Sequence, residues 1–401
     1  DSIKLFNKHT RYIDTSSAVP IKTVIFKYLE PNSSLCRGIP NASSISNGKL
    51  TLEKIYTRYG ASDKNLSSPY SFSYNNYDNA KHQYNFANKD RWGNFKDNSD
   101  DPDLTNYEFP YTKQDGAPLD ADAAPYELTE IKLPSGGIIK VDYESDDYSF
   151  VQDKRAMQMF KIIGVGNSTN KDTKNNLYED LYNINDYIYF ERIIDKEKSG
   201  FSLWDNYLEG AEYLYYSLNM DITGTGKNEY VKGYAKIDDV GICSDDSDFA
   251  YVKLKRDNSG GKKNQKMLHP ATIYGLNKAR YYLPHIVNSG FNTGGGAMNI
   301  LNGLLQAADE LVTISENPIV RYIENKKIGK SINIKKSWIR LCRPGLSKKG
   351  GGVRVKQLTL NDSWSALTSN EDAEYGKTYE YTSDDSKYGI ISSGVASYEQ
   401  L

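Results

Sequence analysis

The chain has little of what metal and redox chemistry needs. Its 401 residues hold only three cysteines (Cys36, Cys243, Cys342) and four histidines (His9, His82, His269, His285). The cysteines are far apart and odd in number, so a disulfide framework does not follow and a buried or free thiol is the plain reading. No histidine sits in an HxH or HExxH pattern or beside a cysteine, which leaves a zinc or iron site without support and calls for no cofactor. No run of eighteen apolar residues exists, so no helix is expected to span a bilayer. An excess charge is missing too. Charged residues make up 25% and the formal net charge is −2, which gives no global attraction to nucleic acid or an anionic membrane.

Catalytic signatures are equally sparse. There is no G-x-S-x-G elbow and no cysteine with a convincing histidine partner. Lys161-Ile-Ile-Gly-Val-Gly-Asn-Ser168 lacks the third glycine and the lysine of a phosphate loop, and reads as a strand-to-loop turn. His269 precedes a helical stretch and reads as a cap or loop residue. Asp97, Asp101 and Asp103 alternate as calcium ligands do, without the glycine and closing glutamate of such a loop. Solvated loops explain them, as they do Asp238, Asp239, Asp245, Asp246 and Asp248 around Cys243. A bound cation would be sought first at Asp97, Asp101 and Asp103.

Tyrosine is what the chain has in excess, 33 against 12 phenylalanines. Its ring packs while its hydroxyl stays wet, which suits sheets with one solvated face and also suits binding surfaces. The organising stretch is Tyr126–Tyr148. Leu133-Pro-Ser-Gly-Gly-Ile138 is a turn in which Pro134 presets φ and Gly136 takes the left-handed conformation of a bulged hairpin. Thr129, Ile131 and Leu133 share one face on the way in, and Ile139, Val141 and Tyr143 share one on the way out. A long antiparallel hairpin with one buried face follows.

Leu50–Tyr56 and Pro69–Tyr74 alternate as paired strands. Beyond Phe150 the texture changes, with strand candidates from Ala156 to Leu254, a helix over His269–Leu283 with Pro270 in its first turn, and a helical stripe over 298–313. After Gly350-Gly-Gly352 the strand texture returns. The expected fold class is mainly β with an α+β insertion: a β-rich flank over 1–156, a mixed insert over 157–348, and a flank over 349–401 that returns to the first sheet. With no leading methionine or signal-peptide stretch at Asp1 and a polar end at Leu401, the chain reads as a piece of a larger polypeptide.

The flanks carry a family resemblance. Leu50–Ile55 followed by Pro69-Tyr-Ser-Phe-Ser-Tyr74 resembles the strand and P-x-x-F-x-Y pair of bacterial Rhs/YD-repeat proteins. Asp90-Arg-Trp-Gly-Asn94 is similar to their D-x-W-G element, and Leu128–Glu144 to their L-x-x-I-x-x-P-T-G-G segment, with Ser135 for Thr and Val141 for Phe. Gly351-Gly-Val-Arg-Val-Lys356, Tyr379-Glu-Tyr381 and Ser392-Ser-Gly394 resemble their G-G-x-R-[IV]-K, Y-x-Y and S-S-G elements in the same order. The combination looks most like large secreted surface proteins of gliding, type IX-secreting bacteria. That resemblance implies an antiparallel sheet wall, a secreted or cell-surface location, a non-enzymatic scaffold role, and as partners the rest of a larger assembly or an encapsulated protein cargo. The alternative is an adhesin module binding a surface glycan or protein through Trp92, Tyr77, Tyr84 and Trp204. A third reading is a hydrolase with carboxylates in the insert.

Overall fold

The computed structural model describes residues 1–13, 16–28, 39–41, 44–75, 88–90, 92–97, 116–256, 267–282, 323–345, 347–366, 368–369 and 371–398. It divides into two compact units, Asp1–Gln152 with Lys349–Leu401, and Asp153–Lys348. In chain order the first unit supplies strands β1 (Ser2–Leu5), β2 (Lys22–Tyr28), β3 (Leu52–Tyr59), β4 (Tyr70–Tyr74), β5 (Leu128–Lys132) and β6 (Ile138–Tyr148). Helix α1 (Lys8–Ile13) follows β1, and α2 (Gly116–Ala123) precedes β5. The second unit holds β7 (Met157–Gly166), β8 (Tyr187–Glu191), β9 (Tyr213–Asp221), β10 (Asn228–Ile242), β11 (Phe249–Leu254) and β12 (Trp338–Cys342). Its helices include α3 (Leu203–Tyr207) and α4 (Pro270–Tyr282). The chain then returns as β13 (Lys348–Asn361) and β14 (Glu374–Thr378).

Those returning strands complete one eight-stranded sheet in the order β1-β2-β3-β4-β5-β6-β13-β14. Spatial order equals chain order, and the whole barrel unit is inserted between the neighbours β6 and β13. The organising hairpin is present as expected. Ile131 pairs with Ile139 and Lys132 with Ile138, Leu133 N donates to Gly137 O at 2.8 Å, and Gly136 has φ 96°, the left-handed residue that a three-residue bulged loop demands. Its apolar face differs from the expectation, because Ile131, Ile139, Val141 and Tyr143 are only half-buried. Among the described residues the buried apolar side chains of this unit are Leu119, Ala124, Tyr148 and Ile391. A short parallel ladder, Val395–Ala396 against Phe150–Val151, holds the end of the chain to the end of β6.

The insert departs further from the sequence reading. Its centre is a closed barrel in the order β7-β8-β11-β10-β9-β12, with β7 paired to both β8 and β12. Alternation decides what fills it. Leu214, Tyr216, Leu218 and Met220 of β9 and Val231, Ala235 and Ile237 of β10 point inward, as a strand buried on one face requires. Bulges between Ile162 and Gly164, and between Ile237 and Asp239, supply the bends that closure needs. Phe160, Phe190 and Tyr207 meet edge-on with centroids 5.2 to 5.7 Å apart. Helix α4 starts at Pro270, whose missing N–H is harmless in the first turn, and buries Ala271, Leu276 and Ala279 in the barrel's core cluster. The helical stripe over 298–313 lies outside the described residues.

Burial locates the stability. Phe190→Ala removes a fully buried ring and is expected to cost about 3–5 kcal/mol in urea unfolding. Ile3→Ala, at a residue 66% exposed on β1, is expected to stay within about 0.5 kcal/mol. Comparable losses at the two sites would mean that β1 is covered.

Candidate functional site

The motif residues of the two flanks meet at the end of β6. There Glu144, Asp146 and Asp147 face Arg354 of β13. Arg354 Nε donates to Glu144 Oε1 at 2.8 Å, and Nη1 donates to Asp147 Oδ1 at 2.5 Å and to Asp146 Oδ1 at 3.3 Å. Its guanidinium lies 4.3 Å from the centroid of the Tyr381 ring, and Tyr381 OH donates to Val355 O at 2.7 Å. Ser392 Oγ donates to Asp147 Oδ1 at 2.6 Å and receives the Gly394 N–H at 3.1 Å. Ser149 N closes the circuit on Gly394 O. A side chain at residue 394 would put Cβ 2.1 Å from Asp147 O, so glycine is required by contact. Burial pulls the Arg354 pKa down, but the hydrogen bonds to Asp147 and Glu144 outweigh it and hold the group above its ordinary value.

A second knot lies in the same unit. Asp90 Oδ1 accepts the N–H of Trp92 and of Asn94, both at 2.8 Å, which ties both residues back onto Asp90. The Trp92 ring then stands edge-on to Tyr148 at 6.0 Å and against Tyr398 at 5.4 Å. Lys96 is buried. Desolvation lowers its pKa, against the pull of Asp90, Asp122 and Asp120.

The residues singled out from sequence therefore separate. Trp92 is half-buried between two tyrosines, and Trp204 packs against the barrel core, so neither forms an open contact platform. Tyr77 and Tyr84 lie outside the described residues, as do Asp101 and Asp103. Asp97 donates its backbone N–H to Asp122 Oδ2 at 3.2 Å. No cluster of three potential metal ligands occurs among the described residues. Sequence reasoning did not pick out Arg354, Asp147, Tyr381 or Ser392 as one cluster, although the G-G-x-R, Y-x-Y and S-S-G elements contain three of them.

The barrel's titratable groups are also consumed by structure. Arg192 grips Glu197 with two hydrogen bonds of 2.9 and 2.7 Å, and Tyr207 OH donates to Glu197 at 2.7 Å. Burial would raise the Glu197 pKa, but these bonds hold it below the usual range. Asp246 is lowered by Lys171, and in the first unit Asp372 is lowered by Ser365. No carboxyl with a resolved shift among the described residues moves upward, as the general acid of a glycosidase must. Around Cys243, Asp238 pairs with Lys253, Asp239 accepts from Tyr251, and Lys171 engages Asp245 and Asp246. Burial pushes the Cys243 thiol up to about 11, which makes it a poor nucleophile. The Asp221 carboxylate accepts the N–H groups of Thr223, Gly224 and Gly226 in its own turn.

No family model, curated protein or solved structure matches the chain.

Removing Arg354 would take the cation from three carboxylates. Arg354→Ala is expected to destabilise the first unit by about 3 kcal/mol, and Arg354→Lys to recover little, because an ammonium cannot bridge Glu144 and Asp147 in one plane. Denaturant-dependent hydrogen exchange on β6 and β13 measures it; a neutral Arg354→Ala would show the cluster to be decorative. His269 gives a pH signature. It is fully buried, and Nδ1 accepts the Ala271 N–H at 3.1 Å. Burial foremost, with the Arg256 charge, lowers its pKa from 6.5 to about 3. Its contribution is complete above pH 6.5 and falls by about 1.4 kcal/mol per pH unit below that, until about pH 3, because only the unfolded chain takes the proton. His269→Asn, which keeps a capping acceptor, is expected to flatten urea midpoints between pH 6.5 and 4. Parallel slopes for the two proteins would refute the assignment.

Proposed function

We propose that the chain is a non-enzymatic structural segment: a length of Rhs-like β wall that carries an inserted barrel, within a larger secreted or surface polypeptide of a bacterium. One observation carries the reading. The sheet is open, its strands run in chain order, and among the described residues neither outer strand pairs with a second neighbour. β1 and β14 are exposed along their whole length, with Ile3, Leu5 and Tyr375 between 58% and 66% exposed. Each edge strand is short and carries charge, Lys4 on β1 and Glu374 and Lys377 on β14, which discourages stray pairing, but among the described residues no element covers either one. A wall continued by further strands has no need of such a cover.

The convergence of the motif elements supports the same reading. What the flanks share with Rhs/YD-repeat proteins is spent on holding strands together, by the Arg354 cluster and by the Asp90–Trp92 hydrogen bond, and none of it is arranged as a nucleophile with a base.

The wall is tested at its edges. In the 401-residue chain the outward amides of β1 and β14 are expected to exchange with solvent deuterium within seconds. In a longer product of the same gene they are expected to be protected at least about a hundredfold, as paired strand amides are. Edges that stay unprotected in the longer product, or a gene that encodes nothing beyond this chain, would defeat the proposal.

A further inference from the structure

The outer face of the barrel carries a pattern that its core does not need. In Tyr230-Val-Lys-Gly-Tyr-Ala-Lys236 of β10 the small and apolar residues turn inward. Tyr230, Lys232, Tyr234 and Lys236 take the opposite face by the two-residue period of a strand. Register carries the pattern onto the neighbours. Tyr213 of β9 lies opposite Lys236, and Tyr215 lies opposite both Tyr234 and Arg340 of β12. Tyr213 is 53% and Tyr234 50% exposed, and Lys232 and Lys236 are exposed as well.

Arg340 is the informative member. Its guanidinium lies 4.8 Å from the Tyr215 ring centroid and 5.8 Å from that of Tyr234, and Nη2 donates to Tyr234 OH at 3.1 Å. Tyr215 and Tyr234 in turn pack with centroids 5.2 Å apart. No carboxylate among the described residues reaches Arg340, and its Nε is buried without an acceptor. Glu212 approaches only Lys236, at 3.9 Å, and both are about half-exposed or more, so solvent screens that pair. Among the described residues this face therefore carries Arg340 without an anion, Lys236 with one loosely held carboxylate, and the exposed Lys232. A planar cation fixed by two rings and lacking its anion suits a planar oxyanion from outside the chain.

We propose that this face binds an acidic polysaccharide, with Arg340, Lys232 and Lys236 taking the carboxylate or sulfate groups and the open faces of Tyr213 and Tyr234 taking the C–H faces of the sugar rings. Lys232 and Lys236 stand about 13 Å apart along the strand, with Tyr234 between them, so charge and ring alternate as they do along such a polymer. Nucleic acid fits less well. The chain's formal charge is −2 and its pI about 6.2, far from the basic character that phosphate binding selects, and one face of Tyr215 is already covered by Arg340. The inference stands apart from the wall reading, since it rests on the barrel alone.

Affinity electrophoresis of the full chain through gels holding polygalacturonate, dextran sulfate or neutral dextran tests it, with fluorescence titration of a thymidine 20-mer in parallel. Retention by an acidic polymer, weakened by salt and absent with neutral dextran, is expected; the two acidic gels tell carboxylate from sulfate. Lys232→Glu with Lys236→Glu changes only exposed residues, so it leaves folding intact and is expected to abolish retention. Tyr234→Ala and Arg340→Gln are each expected to weaken it about tenfold or more, with near-ultraviolet circular dichroism reporting the fold. No retention on either acidic gel, equal retention of the double variant, or tighter binding of the oligonucleotide would overturn the proposal.

Discussion

Met157 lies opposite Cys342 in the barrel, and the whole organisation of the chain depends on that pairing. The first and last strands of the inserted unit are antiparallel neighbours, and Arg343 N donates back to Ala156 O. The insert therefore begins and ends at one place, about a strand spacing apart. That lets it stand where a sheet would otherwise have a short turn, between β6 and β13. Lengthening a flexible connection from roughly five residues to roughly two hundred costs about 3 kcal/mol in closure entropy. A folded insert with adjacent ends removes most of even that, because its own core has already closed the loop.

The return strand still has to find its register, and the Arg354 cluster supplies the selection. A slip of one residue would turn Arg354 to the other face of the sheet, leaving Glu144, Asp146 and Asp147 without their cation and Tyr381 without its stacking partner. Charge pairs of this kind add modestly to net stability, because desolvation offsets the attraction. They discriminate strongly between one pairing and the next. The Gly394 approach to Asp147 sharpens the same choice by contact. Glu144, Asp147, Arg354, Tyr381, Ser392 and Gly394 thus share a single physical task, although they are scattered over about 250 residues of sequence.

Much of this was legible locally, and the missing parts were non-local. Period-two alternation and the Pro134–Gly137 turn were enough for the hairpin, and Pro270 for the start of α4. Barrel closure was not readable in that way. It depends on β7 meeting both β8 and β12, a matter of register across some 180 residues, and no window of sequence carries it. The setting of Trp92 was out of reach for a related reason. A tryptophan beside a glycine looks the same whether its ring faces water or, as Trp92 does, Tyr148 and Tyr398. The aromatic and basic alternation of Tyr230–Lys236 was visible as residues, but which half of it faced outward was decided by the core.

The two units divide the tyrosines by environment. In the barrel Tyr178, Tyr189, Tyr207 and Tyr216 are fully buried, and three of their hydroxyls find partners: Ile328 O, Ser168 O and Glu197. Only the Tyr216 hydroxyl lacks one. A phenolic hydroxyl sealed from water and unmatched costs on the order of 1–3 kcal/mol, and it is tolerated because that ring fills the space opposite Gly233. In the first unit Tyr143 and Tyr381 stay half-buried and send their hydroxyls to Leu128 O and Val355 O, tying ring packing to the strand backbone. A self-sufficient core can carry an unsatisfied group. A sheet with half-covered faces has less reserve, and the hydroxyls of Tyr74, Tyr143 and Tyr381 are each matched to a backbone carbonyl.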